Sequence, residues 1–105
     1  MGENIRVADN PEASRYEVYV DDTLAGFADY RLRRDKIVFP HTEVRAEFEG
    51  RGLGGRLAQA ALEASRDAGL TVVPACPFIS AYIRRHPEFV ELVDESYLHT
   101  VRSDS

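Results

Sequence analysis

The residues of this chain best suited to chemistry fall in a few short segments. The densest is Glu49-Gly50-Arg51-Gly52-Leu53-Gly54-Gly55. Glycines let a backbone come close to a ligand and let several N–H groups turn the same way. A helix that starts there adds partial positive charge. Together these make an anion site, with phosphate or pyrophosphate as its natural guest and Arg51 or Arg56 as charge-assisted donors. Glycines also serve tight turns, so the cluster alone leaves both readings open. Cys76 lies one residue before Pro77. A sulfur at a helix start is favoured as the thiolate, whereas a free cysteine in a core is a small hydrophobe. His41 and Glu43 share one face of a strand. Either could take a proton from an ammonium group, with His41 closer to neutrality, and hydrogen bonding within the fold is the alternative. His86 precedes Pro87 and suits a helix cap better than catalysis. Arg84 and Arg85 are solvated charges or reach an anionic part of a ligand.

The elements that must position these groups are legible from patterning. Ile5-Arg6-Val7, Arg15 to Val20, Thr23 to Leu32 and Lys36 to Val44 read as strands joined by polar turns. Leu24, Gly26, Ala28, Tyr30 and Leu32 fall on one face of the third strand by alternation. Pro40 interrupts the fourth strand with an edge or a bulge, because proline donates no backbone hydrogen bond. Leu53, Leu57, Ala60, Ala61, Ala64 and Ala68 then form the apolar stripe of a helix over 52–68, stopped by Gly69. Leu70 to Val73 is a short buried strand. Pro77 starts a second helix that runs to about Arg85. Glu88 to Val93 adds a turn or two, and Val101 to Ser105 reads as a frayed tail. The order predicts an α/β (α+β) fold: a mainly antiparallel mixed sheet, two to three helices and a β-α-β core whose fourth and fifth strands are parallel.

Composition narrows the classes. A chain of 105 residues with 44% apolar and 30% charged residues predicts one globular domain over 1–105. No run approaches the roughly 18 apolar residues of a membrane span, and neither a secretory signal nor a myristoylation motif is read at the start. One cysteine forms no internal disulfide, so the expected compartment is the reducing cytoplasm. The net charge of −5 argues against nucleic acid as a partner, with Arg31, Arg33, Arg34 and Lys36 read as a solvated turn. No metal site is expected. A P-loop is excluded because no lysine follows the glycines, and a dinucleotide fingerprint because the glycines follow a fourth, antiparallel strand.

One resemblance is specific. His41-Thr42-Glu43-Val44, Phe48 to Gly54, the alanine-rich helix, Val72-Val73-Pro74-Ala75-Cys76-Pro77-Phe78 and Ala81 to Phe89 together resemble the GNAT superfamily of acetyl-CoA-dependent N-acetyltransferases, in its short single-domain branch. The likeness is strongest over 41–93. It implies that acetyl-CoA is a co-substrate and an amine of a small molecule or peptide the acceptor. It also implies that Val44, Gly50, Arg51, Gly52, Leu53, Gly54 and Gly55 hold the coenzyme, and that the strand before the glycine turn splays from its parallel neighbour. Cys76, His41 and Glu43 are the catalytic candidates, with direct transfer and an acetyl-cysteine as alternative routes. The family's usual general acid, a tyrosine near the second helix, finds its nearest counterpart in Tyr82. Glu49 departs from the pattern, since the family places Gln or Arg there. Two other readings stand beside this one. One is a coenzyme A-binding module with little or no catalysis. The other is an interaction domain whose glycines are turns only, marked by Gly52 and Gly54 buried against protein atoms. The expected assembly is a monomer or weak homodimer, with no membrane partner.

Overall fold

A computed structural model describes residues 4–102. Strands Ile5–Asn10 (β1), Arg15–Val20 (β2), Thr23–Arg33 (β3), Lys36–Val44 (β4) and Thr71–Val73 (β5) form one sheet in the order β1-β2-β3-β4-β5. Helices Leu53–Asp67 (α1), Pro77–Arg85 (α2) and Leu98–Val101 (α3) are joined by short 3₁₀ turns, among them Ala46–Phe48 and Pro87–Leu92. β1 to β4 are antiparallel neighbours, and β4 and β5 are parallel, as a helical crossover requires. β1 reaches three residues beyond Val7, so Asp9 and Asn10 pair with Tyr16 and Arg15 rather than closing the strand.

Two bulges set which side chains face the helices. Val18 opposes Gly26 and Tyr19 opposes Leu24, which leaves Ala25 as the extra residue of β3. Ala25, Ala28 and Tyr30 are buried, while Leu24 shares the outer face with Tyr19, so the alternation expected from the sequence is broken at Ala25. Leu32 is 60% exposed and lies outside both core clusters. The second bulge is at Pro40. Asp29 opposes His41 and Arg31 opposes Val38, so Phe39 and Pro40 together face Tyr30. The Tyr30 N–H turns away from this break and donates to the Ser14 carbonyl at 2.9 Å.

β4 and β5 pair only over Lys36–Val38 and Thr71–Val73. The Cys76 N–H then donates to the Phe39 carbonyl at 2.8 Å, and past that residue β4 has no β5 partner. α1 lies across the sheet. Leu53 and Leu57 pack with Val18, Val20, Ala25 and Ala28. Ala58, Ala61 and Leu62 pack with Phe39, Val72, Ile79 and Ile83. The expected alanine stripe is therefore displaced: Ala60 and Ala64 are half-buried and Ala68 is exposed. Burying a leucine is worth about 1.5–3 kcal/mol, more than an alanine offers, so Leu62 takes the inward position. Ser65 is also inward, its hydroxyl satisfied by the Ala61 carbonyl at 2.8 Å.

The C-terminal segment is tied down rather than frayed at Val101. Val101 is buried in the core, and Arg84 Nη1 donates to the Thr100 carbonyl at 2.8 Å. Ser103 to Ser105 lie outside the described residues. Val93 bridges Val72, the Asp94 N–H donates to the Val72 carbonyl at 2.9 Å, and the Lys36 ammonium meets the Asp94 carboxylate at 2.8 Å. The hydrogen bond from Lys36, then those from Ser96, lower the Asp94 carboxyl from 3.8 to about 2. A depressed carboxyl stabilises the fold above its unfolded value and loses that contribution as pH falls through its folded value. The stability difference between the wild type and Asp94→Asn should thus be constant at neutral pH and close between pH 3.8 and about 2. Thermal melts across that range test it. A difference that does not change with pH would show that the pair does not act through its charge.

Candidate functional site

A cleft of about 1010 Å³ opens around the first turns of α1. Thr42 and Val44 of β4 line it on one side. Gly54, Gly55 and Gln59 line it from α1, and Phe78, Tyr82 and Arg85 from α2. The turn residues Phe48, Glu49, Gly50 and Gly52 line it as well, and Ile5 and Val7 of β1 reach it.

The start of α1 is unusual for a helix. Its N-cap is Gly52 at φ +76°, no side chain accepts a bond there, and no acidic residue occupies the first turn. Gly50 is also left-handed at φ +84°. A Cβ at either position would meet no atom within 4 Å, so backbone sign and not crowding requires glycine. Among the described residues no side chain caps the first-turn amides where the cleft opens. Glu49 lines the cleft beside them, and Arg51 holds its guanidinium 5.5 Å over the Phe48 ring. Leu53 lines the cleft and is buried in the core.

Gly54 has a different reason to be glycine. A Cβ there would lie 2.5 Å from Phe78 Cζ, because the Phe78 ring sits directly over it. The bare Cα lets α2 come close to α1. Gly54 is thus buried against protein atoms and Gly52 is exposed, so the mark of the turn-only reading is met at Gly54 and not at Gly52. Sequence spacing signalled the glycines but not the aromatic ring that covers one of them.

The catalytic candidates are not gathered in one place. Cys76 is the N-cap of α2, is 4% exposed and belongs to the core. Its Sγ donates to Thr42 Oγ1 at 3.5 Å, and it is Thr42 that reaches the cleft. His41 and Glu43 lie on the outer face of the sheet. Their side chains are exposed and joined to each other, Nε2 to Oε1, at 3.1 Å. The His41 ring stands 6.0 Å from that of Phe27. The bulge is the cause. Without it, period-two alternation would put His41 and Glu43 on the same face as the buried Phe39. The extra residue at Pro40 exchanges the phases, so Thr42 and Val44 follow Phe39 inward.

Between the two helices, the Tyr82 hydroxyl donates to Gln59 Oε1, and Gln59 Nε2 donates to the Glu63 carboxylate. The Tyr82 ring stacks on His86 with centroids 3.9 Å apart. His86 caps α2, and its Nδ1–H donates to the Tyr82 carbonyl at 2.9 Å. Burial first, then the charges of Glu88 and Glu63, raises the Tyr82 pKa, so its hydroxyl stays protonated at neutral pH. Gln59 and Glu63 are cleft residues that the sequence did not single out, and Thr42 and Phe78 entered only within the stretches that carry the family likeness. The (i, i+4) spacing of Gln59 and Glu63 was the available signal for the first two. Among the described residues no cluster of His, Cys, Asp and Glu is suited to a metal ion, and no helix is long and apolar enough to cross a membrane.

The family model described as GCN5-related N-acetyl-transferase matches residues 15–92, from β2 through the glycine turn and α2. A search of curated proteins finds no match to the chain.

The Gly54–Phe78 contact makes a quantitative expectation. Gly54→Ala meets the far end of a partly exposed ring that can swing aside, and alanine favours the helix, so the net loss should be about 1 kcal/mol or less. Phe78→Ala should cost about 1–2 kcal/mol, short of a fully buried ring because the side chain is 37% exposed. In Gly54→Ala/Phe78→Ala the obstruction is gone, so the loss should fall well short of the sum. Urea unfolding of the four proteins measures this. Strictly additive losses would mean that the ring does not set the distance between the helices.

Proposed function

Given that the chain belongs to the GCN5-related N-acetyltransferase family, we propose that its cleft binds acetyl-CoA and that it transfers the acetyl group to an amine of a small molecule or peptide. The observation that carries this reading is the uncapped start of α1, which offers backbone N–H donors and no acidic first-turn residue where a large cleft opens. The coenzyme's thioester would supply an acyl carbon open to attack. The Gly50–Gly55 amides would hold the diphosphate, with Arg56 as a charged donor at the cleft lining. Val44 and Glu43 would offer backbone groups to the pantetheine amides along the stretch of β4 that β5 leaves unpaired. A β4 N–H would polarise the carbonyl, and a base would take the ammonium proton before the amine attacks. As the carbon–nitrogen bond forms, the carbon–sulfur bond breaks and the thiolate takes up a proton.

Cys76 lies behind Thr42 and is nearly sealed from solvent, which favours direct transfer to the amine over an acetyl-cysteine. Full activity of Cys76→Ala, and no acetyl adduct by intact mass after incubation with acetyl-CoA, is the expected result. A stable adduct lost in Cys76→Ala would establish the covalent route instead. His41 and Glu43 remain the bases to test next, for an amine that approaches from the outer face of the sheet. A second reading has one specific observation in its favour: none of Cys76, His41 and Glu43 is among the residues that line the cleft. A coenzyme A-binding module without catalysis would bind the coenzyme and show no turnover on any member of an amine panel.

The anion site itself is tested at Gly52 and Glu49. Aspartate, like asparagine, tolerates the left-handed backbone better than most side chains, and at Gly52 it meets open space. Gly52→Asp should therefore fold and weaken acetyl-CoA binding by at least about tenfold, because a negative charge then faces the diphosphate. Glu49→Gln removes a charge of the same sign and should leave affinity level or slightly higher. Calorimetry decides both. Unchanged affinity in a folded Gly52→Asp variant would exclude the proposed site.

A further inference from the structure

Arg84 and Arg85 are adjacent in sequence but have separate tasks in the structure. Arg84 is spent on the fold, its guanidinium held by the Thr100 carbonyl at 2.8 Å. Arg85 is exposed, lines the cleft, and has no hydrogen bond or ion pair among the described residues. Glu63, a carboxylate that also lines the cleft, is engaged by Gln59 Nε2 rather than by Arg85. The cleft thus has an unneutralised cation on the last turn of α2, in addition to the glycine turn.

The spacing between these two places is readable from the helix. Phe78 marks the level of Gly54, since its ring lies on that residue. From Phe78 to Arg85 the helix rises about 10 Å at roughly 1.5 Å per residue. A ligand that spans both places carries two anionic groups, separated by less than that rise once the guanidinium reaches back along the groove. A phosphopantetheine arm carries a single phosphate and fills only the first place. A coenzyme with a diphosphate and a further phosphate on its ribose fills both.

We propose that Arg85 binds the ribose phosphate of the coenzyme, so that this chain discriminates against dephospho-coenzyme A and carrier-bound phosphopantetheine. This rests on the acetyl-CoA reading of the cleft. Arg85 forms a charge-assisted, bidentate contact through its guanidinium fork, which the His86 imidazole lacks and which Arg84, tied through Nη1 to the Thr100 carbonyl, does not present to the cleft lining.

The test is calorimetric titration of coenzyme A and of dephospho-coenzyme A into the wild type, Arg85→Ala and, as a control for overall charge, Arg31→Ala on the hairpin outside the cleft. The wild type should bind coenzyme A about tenfold more tightly than the dephospho form. Arg85→Ala should lose about that factor for coenzyme A and nothing for the dephospho form, and Arg31→Ala should match the wild type. Arg85 is exposed, so circular dichroism should show each variant folded. Equal affinity of the wild type for both coenzymes, or an equal loss for both in Arg85→Ala, would overturn the assignment while leaving the acetyl-CoA reading intact. Binding of neither coenzyme to the wild type would overturn both.

Discussion

The missing N–H of Pro40 is the constraint from which the site follows. A proline inside a paired strand leaves one ladder bond unmade, and the sheet accommodates it by setting Phe39 and Pro40 against the single residue Tyr30. That extra residue changes the phase of the rest of β4. Phe39 fills the core, and Thr42 and Val44, instead of His41 and Glu43, face the cleft. The same region ends the pairing with β5, whose last ladder partner is Val38. One backbone defect therefore accounts for which side chains enter the cleft, and it coincides with the place where the two parallel strands part.

The segment that follows sets both the packing of the helices and the opening of the cleft. Gly50 and Gly52 turn the chain through left-handed backbone so that α1 begins where the cleft opens. One turn on, Gly54 has no side chain, and the Phe78 ring occupies that space. α2 is thereby held near the start of α1, and the Tyr82–Gln59 hydrogen bond secures the two helices farther along. Among the described residues no side chain caps these first-turn amides, and the groove beside them has its width set by a glycine and an aromatic ring.

The sheet face away from the helices is ordered by polar and aromatic contacts. Glu17 is only 5% exposed, yet it is satisfied by donors from Tyr19 at 2.7 Å, Arg15 at 2.8 Å and Asn10 at 3.1 Å. The Tyr19 hydrogen bond, ahead of those from Arg15 and Asn10, holds its carboxyl below the usual range despite the opposing effect of burial. Arg6 lies 4.3 Å over the Tyr19 ring and Arg15 lies 4.6 Å over Phe27. The cross-strand contacts among these, Asn10 to Glu17, Arg6 to Tyr19 and Arg15 to Phe27, keep β1 to β3 in register on the face that the helices do not cover, and so fix the frame on which β4 carries its bulge.

Much of the architecture was legible in the chain itself. Alternation located β2 to β4, three- and four-residue spacing located α1, Pro77 located α2, and the β-α-β order required β4 and β5 to be parallel. The glycine turn was legible for the same reason: left-handed backbone selects glycine locally, whatever the surroundings. Pro40 announced an edge or a bulge, and the bulge is what the sheet shows, but alternation could not give its effect on phase and carried no sign of the extra residue at Ala25. A bulge is decided by how two strands share their hydrogen bonds, and it reverses every face assignment beyond it. The alanine stripe was misplaced on α1 because spacing does not weigh Leu62 against Ala60, whereas the core does, by area removed from water. For the same reason the sequence could name His41, Glu43 and Cys76 by chemical type but not say that Thr42 stands between Cys76 and the cleft. It also presented Arg84 and Arg85 as a pair. Only the docking of α3 against α2, which commits Arg84 to the Thr100 carbonyl, separated the arginine that holds the fold from the one left facing the cleft.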